Sequence, residues 1–165
     1  MAKKRREEKI IFKVIKTERK EAPKDYLKFY KVVRYWVKRK HNLSGPELDM
    51  LLFLRSEYLF TKTDFEDYYN IFSWSTTIFN DLLRDGWIRN YRKASTGKYA
   101  IYELSAKGKR LVSDVYKKCE GIDDFSEVGQ KNPVFNRAHV NYADKVFSSQ
   151  MKKINVINKE ARKKE

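Results

Sequence analysis

Between Leu43 and Val112 the spacing of apolar residues changes from helical to alternating and back to helical, which few small folds accommodate. Three helical segments come first. They are followed by Asp85-Gly86-Trp87-Ile88-Arg89, a polar turn, Ala100-Ile101-Tyr102-Glu103-Leu104 and a further helical segment. The punctuation agrees with the spacing. In Ser44-Gly45-Pro46-Glu47, a serine cap, a first-turn proline and a glutamate three residues on can satisfy the free amides of a helix start. Thr63-Asp64-Phe65-Glu66 repeats that logic for the next helix. Ser73 then caps a third helix over 74–84, which Asp85-Gly86 ends, because glycine tolerates the left-handed conformation found just past helix ends.

Leu48, Leu51, Leu52 and Leu54 are expected core residues of the first of these helices. Phe65, Tyr68, Tyr69 and Phe72 serve the second, and Ile78, Phe79, Leu82 and Leu83 the third. Residues 87–92 and 99–104 read as two short strands, and 93–98 as a hairpin loop with Gly97 near its tip. Ser105 caps a helix over 106–118, with Leu111, Val112 and Val115 inward, Lys107, Lys109, Arg110, Lys117 and Lys118 outward, and Gly121 as its stop. Upstream, Tyr26, Phe29, Tyr30, Val33, Trp36 and Val37 mark an amphipathic helix over 25–41. Its other face carries Lys24, Lys28, Lys31, Arg34 and Lys38, read first as a solvated charged face and second as a phosphate-facing one. Downstream, 121–132 reads as a loop. From Pro133 to about Ile157, Phe135, Ala138, Ala143, Val146, Phe147, Met151 and Ile154 form one helical stripe, and the residues from Asn158 onward are expected to fray. The fold class is therefore mainly α with a small β-hairpin: a winged helix-turn-helix with added N- and C-terminal helices. Residues 1–22 form a basic arm, 23–120 the winged-helix domain with its first helix, and 121–165 a loop and C-terminal helix for dimerisation or partner contact.

A net charge of +15 suggests a polyanionic partner, with nucleic acid first and an acidic membrane surface second. The charge is uneven. Residues 1–22 carry nine basic and four acidic side chains, whereas 44–72 carry two and six. Much of the positive excess thus precedes the helix–hairpin module. No apolar run is long enough to span a bilayer, and the basic start lacks the apolar segment and cleavage site of a secretion signal. A lone cysteine, Cys119, excludes an internal disulfide, so a reducing cytoplasm is the expected location. Cys119 reads as a partly buried inert thiol rather than a redox sensor. His41 and His139 lie far apart without accompanying cysteines, so no metal is expected. Neither a glycine-rich phosphate loop nor a nucleophile motif occurs, so no cofactor and no enzymatic activity are expected. Trp87 reads as core. Trp74 reads equally as a packing or a contact residue.

Leu48-Asp49-Met50-Leu51-Leu52-Phe53-Leu54, Leu82-Leu83-Arg84-Asp85-Gly86-Trp87-Ile88 and the run Tyr102 to Val112 resemble the multiple-antibiotic-resistance regulator (MarR) family of bacterial winged-helix proteins. Leu104-Ser105 stands where that family has Leu-Thr, and Gly108 falls at its glycine. The resemblance covers roughly residues 26–120, and related winged-helix groups, including phage replication and partition proteins, share much of the pattern. It implies a homodimer formed by the first and last helices and bound to double-stranded DNA, with the third helix in the major groove and the wing at the minor groove. By position, Ser73, Ser75, Thr76, Thr77 and Asn80 would face DNA. Lys93, Ser95, Thr96 and Lys98 would sit on the wing, and Arg84, Arg89 and Arg92 would meet phosphates. Asn80 suits adenine, and the hydroxyls suit phosphate or either base. Thr77 stands where the family often has arginine, and Thr96-Gly97-Lys98 replaces its Asp-Arg wing pair.

These features lead to a non-enzymatic DNA-binding protein, a homodimeric transcription regulator with modest sequence discrimination. A small-molecule effector of unknown identity is left open by the same resemblance. The alternative is a winged-helix interaction or structural module of a phage or nucleoprotein assembly, whose basic termini hold nucleic acid without reading sequence.

Overall fold

The computed structural model describes residues 26–66, 75–136, 138 and 141–163. The basic arm, Tyr68, Tyr69, Phe72, Ser73, Trp74 and His139 lie outside them. The first helix, α1 (Tyr26–His41), buries Phe29, Val32, Val33, Trp36 and Val37, while Tyr26 faces solvent. Arg34 is not on a simply solvated face. Its guanidinium grips the Asp49 carboxylate at 2.5 and 2.9 Å and braces α1 against α2 (Gly45–Glu57). The expected capping box opens α2. The Glu47 amide donates to Ser44 Oγ at 3.3 Å, and the Ser44 amide donates to Glu47 Oε2 at 2.6 Å. Leu48, Met50, Leu51 and Leu54 are all buried. Apolar residues around most of the circumference mark a helix enclosed by neighbours rather than one with a narrow stripe.

Past α2, Phe60 exchanges two backbone hydrogen bonds with Tyr102, at 3.1 and 2.8 Å. Residues 62–66 are helical (α3). Their cap is Thr61, not Thr63. The Asp64 carboxylate accepts from the Thr61 amide at 2.6 Å, and Thr61 Oγ1 accepts from the Asp64 amide. The next helix, α4 (Thr76–Arg84), by contrast starts later than predicted, because Ser75 supplies the cap through the Ile78 amide at 3.3 Å. Phe79 and Leu82 point inward as expected, and Gly86 (φ 73) turns the chain out of the helix.

β1 (Ile88–Arg92) and β2 (Ile101–Leu104) form an antiparallel hairpin, with Ile88 opposite Leu104 and a register shift between Asn90 and Arg92. Ser105 starts α5 (Ala106–Glu120), accepting from the Gly108 amide at 3.1 Å and donating to the Gly86 carbonyl at 2.7 Å. A Cβ on Gly108 would lie 2.6 Å from the Trp87 carbonyl oxygen, so the close approach of α5 to this strand demands glycine. Leu111, Val112 and Val115 are buried as expected, but so is Lys118. Its ammonium donates to the Asp124 carbonyl at 2.9 Å and lies 4.8 Å from the centre of the Trp36 ring system. Desolvation lowers its pKa below the usual lysine value.

Among the described residues, the single helix expected from Pro133 is broken before Asn141. A short 3-10 turn, Pro133–Phe135, is followed by α6 (Tyr142–Arg162), which Asn141 and Asp144 open with a second capping box. Val134 fills the core with Phe135 packed against it, and Val146 faces solvent. α6 docks on α1 through Asp144, whose carboxylate takes hydrogen bonds from Arg39 (2.9 and 3.2 Å) and the Tyr35 hydroxyl (2.9 Å). Beside it the Tyr35 and Phe147 rings stack at 3.9 Å. Burial alone would raise the Asp144 carboxyl, but Arg39, Tyr35 and the Asn141 contact together hold it below the usual carboxylate value. Nor does the chain fray from Asn158. Asn158 is buried, and Arg162 donates to the Ile122 carbonyl at 3.0 Å and to Asp124 at 2.7 Å. Phe125, Val134, Met151 and Ile154 join one hydrophobic core with α1, α2, α4, β2 and α5.

Candidate nucleic-acid interface

Four aromatic rings set the orientation of α4 and the hairpin. Phe79 on α4 meets Phe65 and Tyr102 edge-on, each at 4.9 Å, and Phe60 lies against Phe65 at 5.3 Å and Tyr102 at 6.3 Å. Such edge-to-face pairs fix geometry as well as burying area. With Phe79 and Leu82 locked inward, the opposite side of α4 presents Thr76, Thr77 and Asn80 to solvent. Ser75 stands apart from that set, since its hydroxyl is engaged as the helix cap. Ser73 lies outside the described residues.

The three arginines expected to meet phosphate are not equivalent. Arg84 is held by Asp81 at 2.8 Å and Asp85 at 3.1 Å. Arg89 is bound by Glu103 at 2.7 Å, and Glu103 also takes Lys109 at 3.0 Å. Those two cations, Lys109 first, hold the Glu103 carboxyl below its ordinary pKa. Among the described residues Arg92 has no carboxylate partner, and its guanidinium donates to the Tyr99 carbonyl at 3.5 Å. Lys93, Ser95, Thr96 and Lys98 are exposed on the loop. There Ser95 and Lys98 exchange backbone bonds of 3.2 and 2.9 Å across a turn in which Gly97 takes φ 71. Within α4 and the hairpin, positive charge without an ion-pair partner among the described residues therefore lies at the outer end of the hairpin and not on α4.

Two residues of this surface escape a reading by alternation alone. Tyr91 and Tyr99, placed in strand-like runs, are both exposed. The signal for Tyr91 is an aromatic residue set inside a charged run, Arg89-Asn90-Tyr91-Arg92-Lys93. Trp87 is core as expected, with the Lys107 ammonium 3.8 Å over its ring.

Other chemistry is sparse. Burial, with Glu120 adding to it, pushes the Cys119 thiol up to about 11, so little thiolate forms near neutral pH. His41 is wedged edge-on between Trp36 and Trp87, and desolvation lowers its pKa. Among the described residues no group of side chains could hold a metal ion, and no helix is long and apolar enough to cross a membrane. Comparisons of the chain with protein-family models, with curated proteins and with solved structures give no match.

Proposed function

We propose that this protein is a DNA-binding winged-helix protein, acting as a homodimeric transcription regulator. The observation that carries the reading is a helix–hairpin module in which Thr76, Thr77 and Asn80 on α4 and Arg92, Lys93 and Lys98 on the hairpin are exposed, with no side-chain partner for the α4 groups and no ion pair for the cations among the described residues. The Phe60–Tyr102 bridge supports it, because a one-residue third strand between α2 and α3 completes the usual winged-helix order. Titration of the full chain against duplex DNA at several salt concentrations tests the reading. Binding should weaken steeply as salt rises, and no binding even at low salt would overturn it. Dimerisation would draw on apolar residues still exposed on α1 and α6, such as Leu27, Val146 and Ile157, and sedimentation would detect it.

A second reading, a winged-helix interaction module with non-specific nucleic-acid binding through its termini, is favoured by the neutralised Arg84 and Arg89. Removal of residues 1–22 and 163–165 separates the two. The truncation should abolish most affinity under the second reading. Under the first, Thr77→Ala, Asn80→Ala and Lys98→Ala should do more damage.

A further inference from the structure

The outer half of the hairpin holds a combination that groove contact alone does not require. Tyr91 is 62% exposed and Tyr99 is 76% exposed. The backbone accounts for the first. The β1–β2 register slips between Asn90 and Arg92, leaving Tyr91 as the extra residue without a partner on β2. Bulges of this kind re-aim a side chain. Tyr99 lies just before β2, next to the bridging residue Lys98. Arg92 connects the two, following Tyr91 in the chain and reaching the Tyr99 carbonyl at 3.5 Å. Arg92, Lys93 and Lys98 are exposed and have no ion-pair partner among the described residues, whereas Arg84 and Arg89 nearer the hairpin base are neutralised.

Exposed rings among unpaired cations suit a strand whose bases are free. Lysine and arginine meet the phosphates, while each ring stacks on the face of a base. Inside a duplex both faces of every base are already stacked, so the tyrosines would gain little there. We propose that Tyr91, Arg92, Lys93, Lys98 and Tyr99 form a site for unpaired bases, giving the protein a preference for single-stranded over fully paired nucleic acid. This inference rests on the nucleic-acid-binding reading above and adds a substrate class to it.

The test uses the full chain and three labelled probes: a mixed-sequence single-stranded DNA, the RNA of the same sequence and the blunt DNA duplex. Anisotropy should show tighter binding to a single strand than to the duplex. Tyr91→Leu and Tyr99→Leu keep apolar bulk and remove the ring. Each should weaken single-strand binding about tenfold, leaving duplex affinity and the thermal midpoint unchanged. Lys93→Gln with Lys98→Gln should weaken both and make the salt slope for single strands shallower by about 0.7 for each phosphate no longer neutralised. Tyrosine-dependent binding of either strand supports the site, and the arm in which it occurs identifies the sugar. Wild-type single-strand affinity in both tyrosine variants would overturn it while leaving the proposed function standing. Absence of binding to all three probes would remove both.

Discussion

Tyr58 closes α2 at φ 52, ψ −66, and the Leu59 amide turns back to the Glu57 carbonyl, which makes a γ-turn of the strained sense. A bulky residue held there costs about 1–3 kcal/mol, and a ring 77% exposed returns little packing. Tyr58→Gly should therefore stabilise the fold by about 1 kcal/mol in urea unfolding, and a drop in stability would show that the ring packs usefully after all. His41 makes a residue-scale prediction of a different kind. Burial lowers its pKa, Lys40 and Lys107 act the same way, and Asp114 opposes them. The unfolded chain then binds a proton that the folded chain resists. This contribution to stability is complete above the ordinary histidine value and declines as pH falls towards the folded one. His41→Phe should flatten the pH dependence of unfolding as pH falls below the ordinary histidine value of about 6.5. An unchanged slope would count against a buried neutral imidazole.

Helix starts were legible as a kind of signal but not always at the right residue. Ser44 and Ser105 cap as their sequences suggest. Thr61 displaces Thr63, and Ser75 displaces Ser73, because hydroxyls two residues apart offer equivalent local bonds. The rings of Phe60, Phe65 and Phe79 must all meet Tyr102 or one another, and that packing sets the phase. The stretch after Gly121 hid more. Its polarity suggests a plain loop, yet the Asn155 side chain on α6 clasps Phe125, accepting from its amide at 2.8 Å and donating to its carbonyl at 2.9 Å. Asn132 similarly donates to the Ser126 carbonyl and accepts from the Val134 amide. No apolar pattern announces an asparagine that acts as a strand partner. Asn155→Ala should cost about 2–4 kcal/mol, since two buried backbone groups lose their partners. Hydrogen exchange would find the 121–136 segment opening first, and full protection there would contradict the clasp.

Across the whole molecule, the C-terminal helix is part of the core rather than an appendage to it. A chain ending at Asn158 lacks the Arg162 hydrogen bonds to Ile122 and Asp124 and should be less stable by about 1 kcal/mol, the guanidinium being partly solvated. A chain ending at Arg162 should unfold as the full one does. Equal midpoints for both truncations would mean the anchor contributes nothing. The sequence by itself determined the element order, the helical and alternating periods and most inward residues of α2, α4 and α5, because these depend on local bonds and on burying one face. Only the tertiary structure decided which charges are free. Arg34 meets Asp49, Arg39 meets Asp144, and Arg89 meets Glu103, across separations of 15, 105 and 14 residues. Lys118 is carried into an aromatic pocket, while Arg92, Lys93 and Lys98 have no ion-pair partner among the described residues and flank two exposed tyrosines. Charge is counted along the chain, but an ion pair forms at a few ångströms in space, so net charge could suggest a polyanion without saying where it would be held.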